Sequence, residues 1–254
     1  MSFSSQQSVR LMAGLNGFSG DTGQSGFDSD LLPSALQPLV NLSEIPYEIL
    51  KFEEGDLVFE KGQTPKGIYV LKSGCVKLFV SRENSRGRTT SPEYVTKLIS
   101  PGEVFGYKSV VRQIDARAYA EAVKDTVVWL YSKESVLSVI AAAHPLVRTV
   151  LEQAIVDIES YEKISQLHYL ASVQERIAYQ LVLIADRFGI ETPTGISINL
   201  KLTRNEFAQL ASTINESLSR HLTEFKNDGL IDINGKEIII KDRAGLAARS
   251  GNFK

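Results

Sequence analysis

Residues 55–77 read GDLVFEKGQTPKGIYVLKSGCVK, and their texture decides the N-terminal half of the chain. Leu57–Phe59, Gly67–Leu71 and Cys75–Val80 are short runs rich in Val, Leu, Ile, Phe and Tyr. Their turn signals are Glu54-Gly55-Asp56, Lys61-Gly62-Gln63 and Lys72-Ser73-Gly74. Runs of this length and composition suit a pleated, buried surface. Working outward, Tyr94–Ile99 and Val127–Tyr131 read as further strands, and Ser100-Pro101-Gly102-Glu103 as another turn. Many short strands at this spacing predict a β-sandwich or β-barrel. The polar segment RENSRGRTTSP, Arg82 to Pro92, predicts an exposed hairpin loop.

At Ser132 the period switches. Lys133 to Phe188 contains no glycine and a single proline, Pro145. Val147, Leu151, Ala154, Ile158, Tyr161, Ser165 and His168 alternate spacings of four and three, the seam of a helix that pairs with another helix. A second stripe, Leu146, Val150, Ile155, Ile164 and Leu167, is placed against the barrel. Val173 to Phe188 is amphipathic and stops at Gly189.

The last block predicts helix, tight turn, helix and hairpin. Thr203 caps a helix over Arg204–Ala211, with Glu206 completing a capping box. Ser212-Thr213-Ile214 makes the turn, and Asn215–Phe225 is the second helix, closed by Asn227-Asp228-Gly229. Leu230–Ile233 and Lys236–Ile240 flank an Asn234-Gly235 turn, a strong hairpin signal. This is the layout of a winged helix-turn-helix.

Composition bounds the function. With 254 residues, 43% hydrophobic and 23% charged, the chain can build one large or two modest cores. The net charge of −2 does not itself point to nucleic acid, so any such partner must be argued locally. Between Leu200 and Arg243 basic and acidic residues are equal in number, so the helix-turn-helix block is not a sticky basic domain. No apolar run is long enough to span a membrane, and no h-region marks a secretory signal, so a cytoplasmic setting is expected. The lone Cys75 supports neither a disulfide nor a cluster, and reads as a small core residue. His144, His168 and His221 lie far apart, so no metal site is expected. No nucleophile elbow, P-loop or catalytic carboxylate pair occurs, so no catalytic residue is assigned and an enzyme is not expected.

Gly55–Gly62 followed by Gly67–Lys77 resembles the cyclic-nucleotide-binding β-roll, and Pro101-Gly102-Glu103-Val104-Phe105-Gly106 resembles its later turn. With a long helix and a terminal helix-turn-helix in this order, the chain is similar to the catabolite activator protein/FNR (CRP/FNR) superfamily of bacterial transcription regulators, over about residues 49–243. The resemblance implies an α+β fold: an N-terminal cyclic-nucleotide-binding-like β-roll (jelly roll), a long dimerisation helix and a C-terminal winged helix-turn-helix. Ser/Gly-rich composition without an apolar period marks residues 1–30 as a flexible extension, and the resemblance divides the rest into the roll (31–132), the dimerisation helix (133–170) and the DNA-binding domain (171–254). It implies a homodimer on a palindromic double-stranded operator, with RNA polymerase as a further partner and no membrane.

The departures bear on the ligand. The family's cassette has Gly-Glu after the roll turn, for a ribose hydroxyl, and then Arg-Ser, for the cyclic phosphate. Here Gly106-Tyr107-Lys108-Ser109 puts Tyr107 in the Glu position. In Asp115-Ala116-Arg117, a gapless alignment puts Ala116 in the Arg position and Arg117 one residue on, which in a strand is the opposite face. Gly106, Tyr107, Lys108, Ser109, Arg117, Tyr161 and Glu162 are the effector candidates. Ordinary cAMP binding is disfavoured, and another cyclic nucleotide, a different small effector or no ligand remain open.

In a helix-turn-helix the first residues of the second helix reach base edges. The resemblance makes Asn215, Glu216 and Arg220 the base readers, with Asn215 replacing the Arg that relatives commonly carry. Asn suits adenine, Glu suits cytosine, and Arg suits guanine or a phosphate. Thr203, Arg204, Ser217 and Lys226 are assigned to phosphates. A relic winged helix that binds protein instead of DNA is the alternative.

Overall fold

A computed structural model describes residues 45–83, 89–141, 146–198 and 200–251. The expected N-terminal extension, residues 31–44 of the expected roll, the hairpin tip at 84–88 and the segment carrying His144 and Pro145 lie outside the described residues.

The roll comprises β1 (Glu48–Phe52), β2 (Leu57–Phe59), β3 (Gly67–Glu83), β4 (Thr89–Ile99), β5 (Val104–Phe105), the short helix α1 (Tyr107–Arg112) and β6 (Tyr119–Ser132). Strand order is β1-β6-β3-β4, with β2 on β6 and β5 on β3. β3 and β6 pair antiparallel from Gly67 opposite Ser132 to Phe79 opposite Tyr119. The expected turn at Lys72-Ser73-Gly74 is instead an irregularity within one continuous strand, where the register shifts between Leu71 and Val76. Gly74 has φ +102°, and a Cβ there would lie 2.3 Å from the Thr126 hydroxyl oxygen. A glycine inside a strand marks a bulge as readily as a turn, and only the partner strand decides which. The hairpin is also longer than expected, its strands running to Glu83 and from Thr89.

Alternation along β3 and β6 sorts two cores. Tyr69, Leu71, Phe105, Val128 and Leu130 fill the interior of the roll. Ile68, Val70 and Tyr131 face the other way, against Val136 and Val150 of the following helices. Those helices are α2 (Lys133–Ala141) and α3 (Leu146–Leu170), so residues 133–170, expected as one dimerisation helix, carry two.

Ser172 opens α4 (Val173–Phe188) with a capping box to Glu175. Then follow β7 (Ile190–Thr192), β8 (Gly195–Ile198), α5 (Arg204–Leu210), α6 (Asn215–Asn227), β9 (Ile231–Asn234), β10 (Glu237–Ile240) and α7 (Arg243–Arg249). The wing is a four-stranded sheet in the order β7-β8-β10-β9, two strands more than the expected hairpin. Asn234 pairs with Glu237, so the turn is Gly235-Lys236, one residue beyond the expected Asn234-Gly235. The core of this unit, including Leu181, Phe207, Leu222 and Ile238, is continuous with Phe79, Val95 and Leu98 of the roll.

Polar contacts fasten the same junction. Lys77 on β3 pairs with Glu121 on β6 at 2.9 Å and with Glu206 on α5. Gln209 Oε1 accepts from the Val95 amide at 3.0 Å. Arg187 on α4 donates to Ser100 Oγ at 2.7 Å and pairs with Glu103.

Candidate functional site

The helix-turn-helix forms from local signals. Thr203 Oγ1 accepts from the Glu206 amide at 3.2 Å, while the Glu206 carboxylate accepts from the Thr203 amide at 2.7 Å, the expected capping box. The turn is made by Ser212, at φ +50°, with the Thr213 amide bonded to Ala208 O. Leu218, Leu222 and Phe225 bury one face of α6. Their spacing leaves Asn215, Glu216, Ser219, Arg220 and Thr223 on the exposed face.

Of the expected base readers, Asn215 and Glu216 are exposed and Arg220 extends outward, its Nε 4.0 Å from Glu224 Oε1. The expected phosphate contacts are placed differently. Arg204 Nη2 reaches the wing turn at Gly235 O, 3.4 Å away, and Lys226 pairs with Asp232 on β9 at 2.9 Å. Thr203 caps α5, and Ser217 is half-buried. Sequence reading passed over Ser219 and Thr223, which the period of the buried face puts on the exposed one. It also passed over Arg176, which donates to Ala211 O and Ser212 O of the turn and to Ala171 O at the end of α3. Nothing in the local sequence pairs Arg176 with a turn 35 residues away.

In the roll, Val58, Phe59, Gln63, Thr64, Lys66, Tyr69, Gly106, Ser109 and Ala116 line a recess. Tyr69 stacks on Phe105 with ring centroids 5.3 Å apart, and Phe59 lies tilted against both at 5.6 and 6.2 Å. Gly106 is there by necessity: φ is +79°, and a Cβ would sit 2.9 Å from the Tyr69 ring. The rim is laced by backbone bonds from Gly62 N to Ala116 O at 2.7 Å and from Ala116 N to Gln63 O at 2.9 Å.

Of the seven effector candidates, Gly106 and Ser109 line this recess. Ala116 is buried on its wall, while Arg117 is exposed in a bend before β6 and not in the strand expected there. Tyr107 turns away from the recess: it is buried, and its hydroxyl donates to Asp157 Oδ2 of α3 at 2.7 Å. Lys108 goes the same way, 3.0 Å from Asp157 Oδ2. Asp157 also takes Lys97 at 2.7 Å and Gln153 at 3.2 Å. Burial opposes its charge, yet these donors outweigh burial and hold its pKa down at about 2. Burial, then the neighbouring Asp157 charge, push the Tyr107 hydroxyl well above its usual range. Tyr161 and Glu162 lie on the exposed side of α3, with Lys108 Nζ 5.4 Å over the Tyr161 ring.

On α3, Thr149, Val150, Asp157 and Leu167 are buried. The exposed face runs Val147, Leu151, Ile155, Ile158, Glu162, Ser165 and Tyr169. This corrects the sequence seam at Ala154, which packs against the roll, while Ile155, assigned there to the barrel, is exposed. Both choices give spacings of three and four, so the pattern alone fits either face. Tyr161 and His168 are exposed beside this face. Among the described residues no cluster of His, Cys, Asp or Glu could hold a metal, and no helix is long and apolar enough to cross a membrane.

A roll joined by a long helix to a winged helix-turn-helix defines the architecture of a transcription regulator. Two family models match it: the cyclic nucleotide-binding domain over residues 49–143 and the Crp-like helix-turn-helix domain over residues 175–249. The chain belongs to the CRP/FNR superfamily of transcription regulators, a family not known as enzymes. Relatives include the CRP-like cAMP-activated global transcriptional regulator of Mycobacterium tuberculosis, 24% identical over 89% of this chain and 97% of its own. The transcriptional activator protein FnrA of Stutzerimonas stutzeri is 24% identical over 96% of this chain and 97% of its own. Among solved structures, FixK2 from Bradyrhizobium japonicum superposes with a TM-score of 0.65 at 19% identity, covering 80% of this chain and 97% of that one. A CooA mutant from Carboxydothermus hydrogenoformans gives 0.63 at 18% identity, over 87% and 98%. These two likenesses are of fold.

Proposed function

We propose that the protein acts as a homodimer that reads a palindromic operator through α6, with the roll serving as a fixed platform instead of a cAMP sensor. The observation that carries the DNA reading is the polar face of α6, with Asn215, Glu216 and Arg220 outward over buried Leu218, Leu222 and Phe225. With basic and acidic residues equal in number between Leu200 and Arg243, non-specific affinity is expected to be modest. Two linked copies would place the recognition helices about 34 Å apart, one turn of duplex. The apolar exposed face of α3, including Leu151 and Ile158, supports the pairing. Asn215 in place of arginine favours an adenine where relatives take guanine.

For the roll, the exposed Arg117 and the Tyr107–Asp157 bond support control without an ordinary cyclic nucleotide. A different, smaller effector at Gly106 and Ser109 is the second reading, favoured by their position on the recess wall. The name of the mycobacterial relative describes a cAMP-activated regulator, and the contrast is testable. Selection from random duplexes should enrich a palindrome. Failure to enrich one would favour a winged helix that binds protein. Calorimetric titration with cAMP to millimolar concentration should give no binding heat, and micromolar binding would overturn the platform reading.

A further inference from the structure

Ile214 breaks two local rules at once. It is the N-cap of α6, yet its side chain offers no cap, whereas α4, α5 and α7 begin with Ser172, Thr203 and Asp242, each accepting a backbone hydrogen bond. A β-branched apolar residue is among the poorest N-caps. The same side chain is 64% exposed to water. Local rules broken together are expected at functional positions.

Its surroundings say what would cover it. Ile214 directly precedes Asn215 and Glu216, the exposed residues of the first turn of α6. Its backbone is held extended at φ −101° and ψ 157°, its carbonyl accepts from the Leu218 amide at 3.0 Å, and the turn before it is pinned by the Thr213–Ala208 bond. A β-branched side chain has few rotamers, so it is presented already ordered. In the major groove, the apolar group at a base edge is the 5-methyl of thymine.

We propose that Ile214 is a specificity-determining residue that packs on a thymine 5-methyl in each half-site, beside or within the A·T pair read by Asn215. This rests on the DNA reading of α6 given above. It adds a contact that selects thymine by shape, where Asn215 selects adenine by hydrogen bonds.

The test uses the full-length protein and the duplex recovered by selection. Each thymine is replaced in turn by deoxyuridine, which keeps the base pair and removes only the methyl. Fluorescence anisotropy at fixed salt reads the dissociation constant. One position per half-site should weaken binding about fourfold, the worth of one buried carbon. For Ile214→Ser that deoxyuridine penalty should vanish. Serine restores an N-cap, so the variant should unfold at the same temperature as the parent or higher. Equal binding of every deoxyuridine duplex, or an unchanged penalty in Ile214→Ser, would overturn the contact while leaving the DNA reading intact. Recovery of no duplex would overturn both.

Discussion

The Tyr107 hydroxyl donates to the Asp157 carboxylate at 2.7 Å, joining α1 of the roll to the middle of α3. Lys97 carries the link onward, 2.7 Å from Asp157 and 3.0 Å from Glu103, and Glu103 pairs with Arg187 on α4. The tyrosine that replaces a ligand-facing glutamate in the resemblance thus ties the roll to the helix. Removing the hydroxyl in Tyr107→Phe leaves Asp157 with Lys97, Lys108 and Gln153, so the expected loss is about 1 kcal/mol. Asp157→Ala strands the buried Tyr107 hydroxyl and leaves Lys97 with Glu103 alone, and should cost about 2 kcal/mol. Urea midpoints measure both, and a neutral Asp157→Ala would show that the cluster holds nothing together.

Acid should act through the same carboxylates. Asp157, Glu103 and Glu206 all have folded pKa values below their ordinary ones, because nearby cations outweigh the burial that opposes their charge. A depressed carboxylate contributes stability above its unfolded pKa, and that contribution fades as pH falls toward the folded value. These groups should therefore leave stability unchanged between about pH 7 and 5 and lower it below about pH 4. Asp157, at about 2, contributes on the order of 2 kcal/mol. The acid limb of the Asp157→Asn variant should be shallower than the parent's, and parallel limbs would refute the assignment.

Pairing of two chains should depend on the exposed face of α3. Leu151 and Ile158 are each 58% exposed. Glutamate at both positions would place like charges along an apolar seam and raise the dimer dissociation constant at least about tenfold. Sedimentation equilibrium should find the parent dimeric and the double variant monomeric, with unchanged helix content by circular dichroism. A monomeric parent would end this reading.

Cys75 should be inert in the folded protein. It is fully buried, and burial pushes its thiol up to about 12 despite the charges of Lys124 and Arg187. Iodoacetamide at neutral pH should leave it unmodified and label it completely in urea. Rapid native labelling would show that the roll opens around β3.

Elements with a strong local signal were legible. The Thr203–Glu206 capping box, the amphipathic α4 and the apolar period of α6 each write their boundaries in a few residues. Less was legible where a partner decides. β7 and β8 lie largely in a stretch, ETPTGISI, whose strand character rests on pairing with β10. Gly74 reads as a turn until β6 runs past it without reversing.

The sequence by itself determined the order of parts, because glycine-punctuated strands, a glycine-free helical stretch and a capped helix pair are local signatures. It also determined which side chains of α6 face out, since a period of 3.6 about Leu218, Leu222 and Phe225 leaves no other arrangement. Only the tertiary structure decided that Ala154 and not Ile155 meets the roll. It alone turned Tyr107 to Asp157. Those outcomes depend on how one element is rotated against another 50 residues away, and that rotation is set by packing, which no local run of sequence contains.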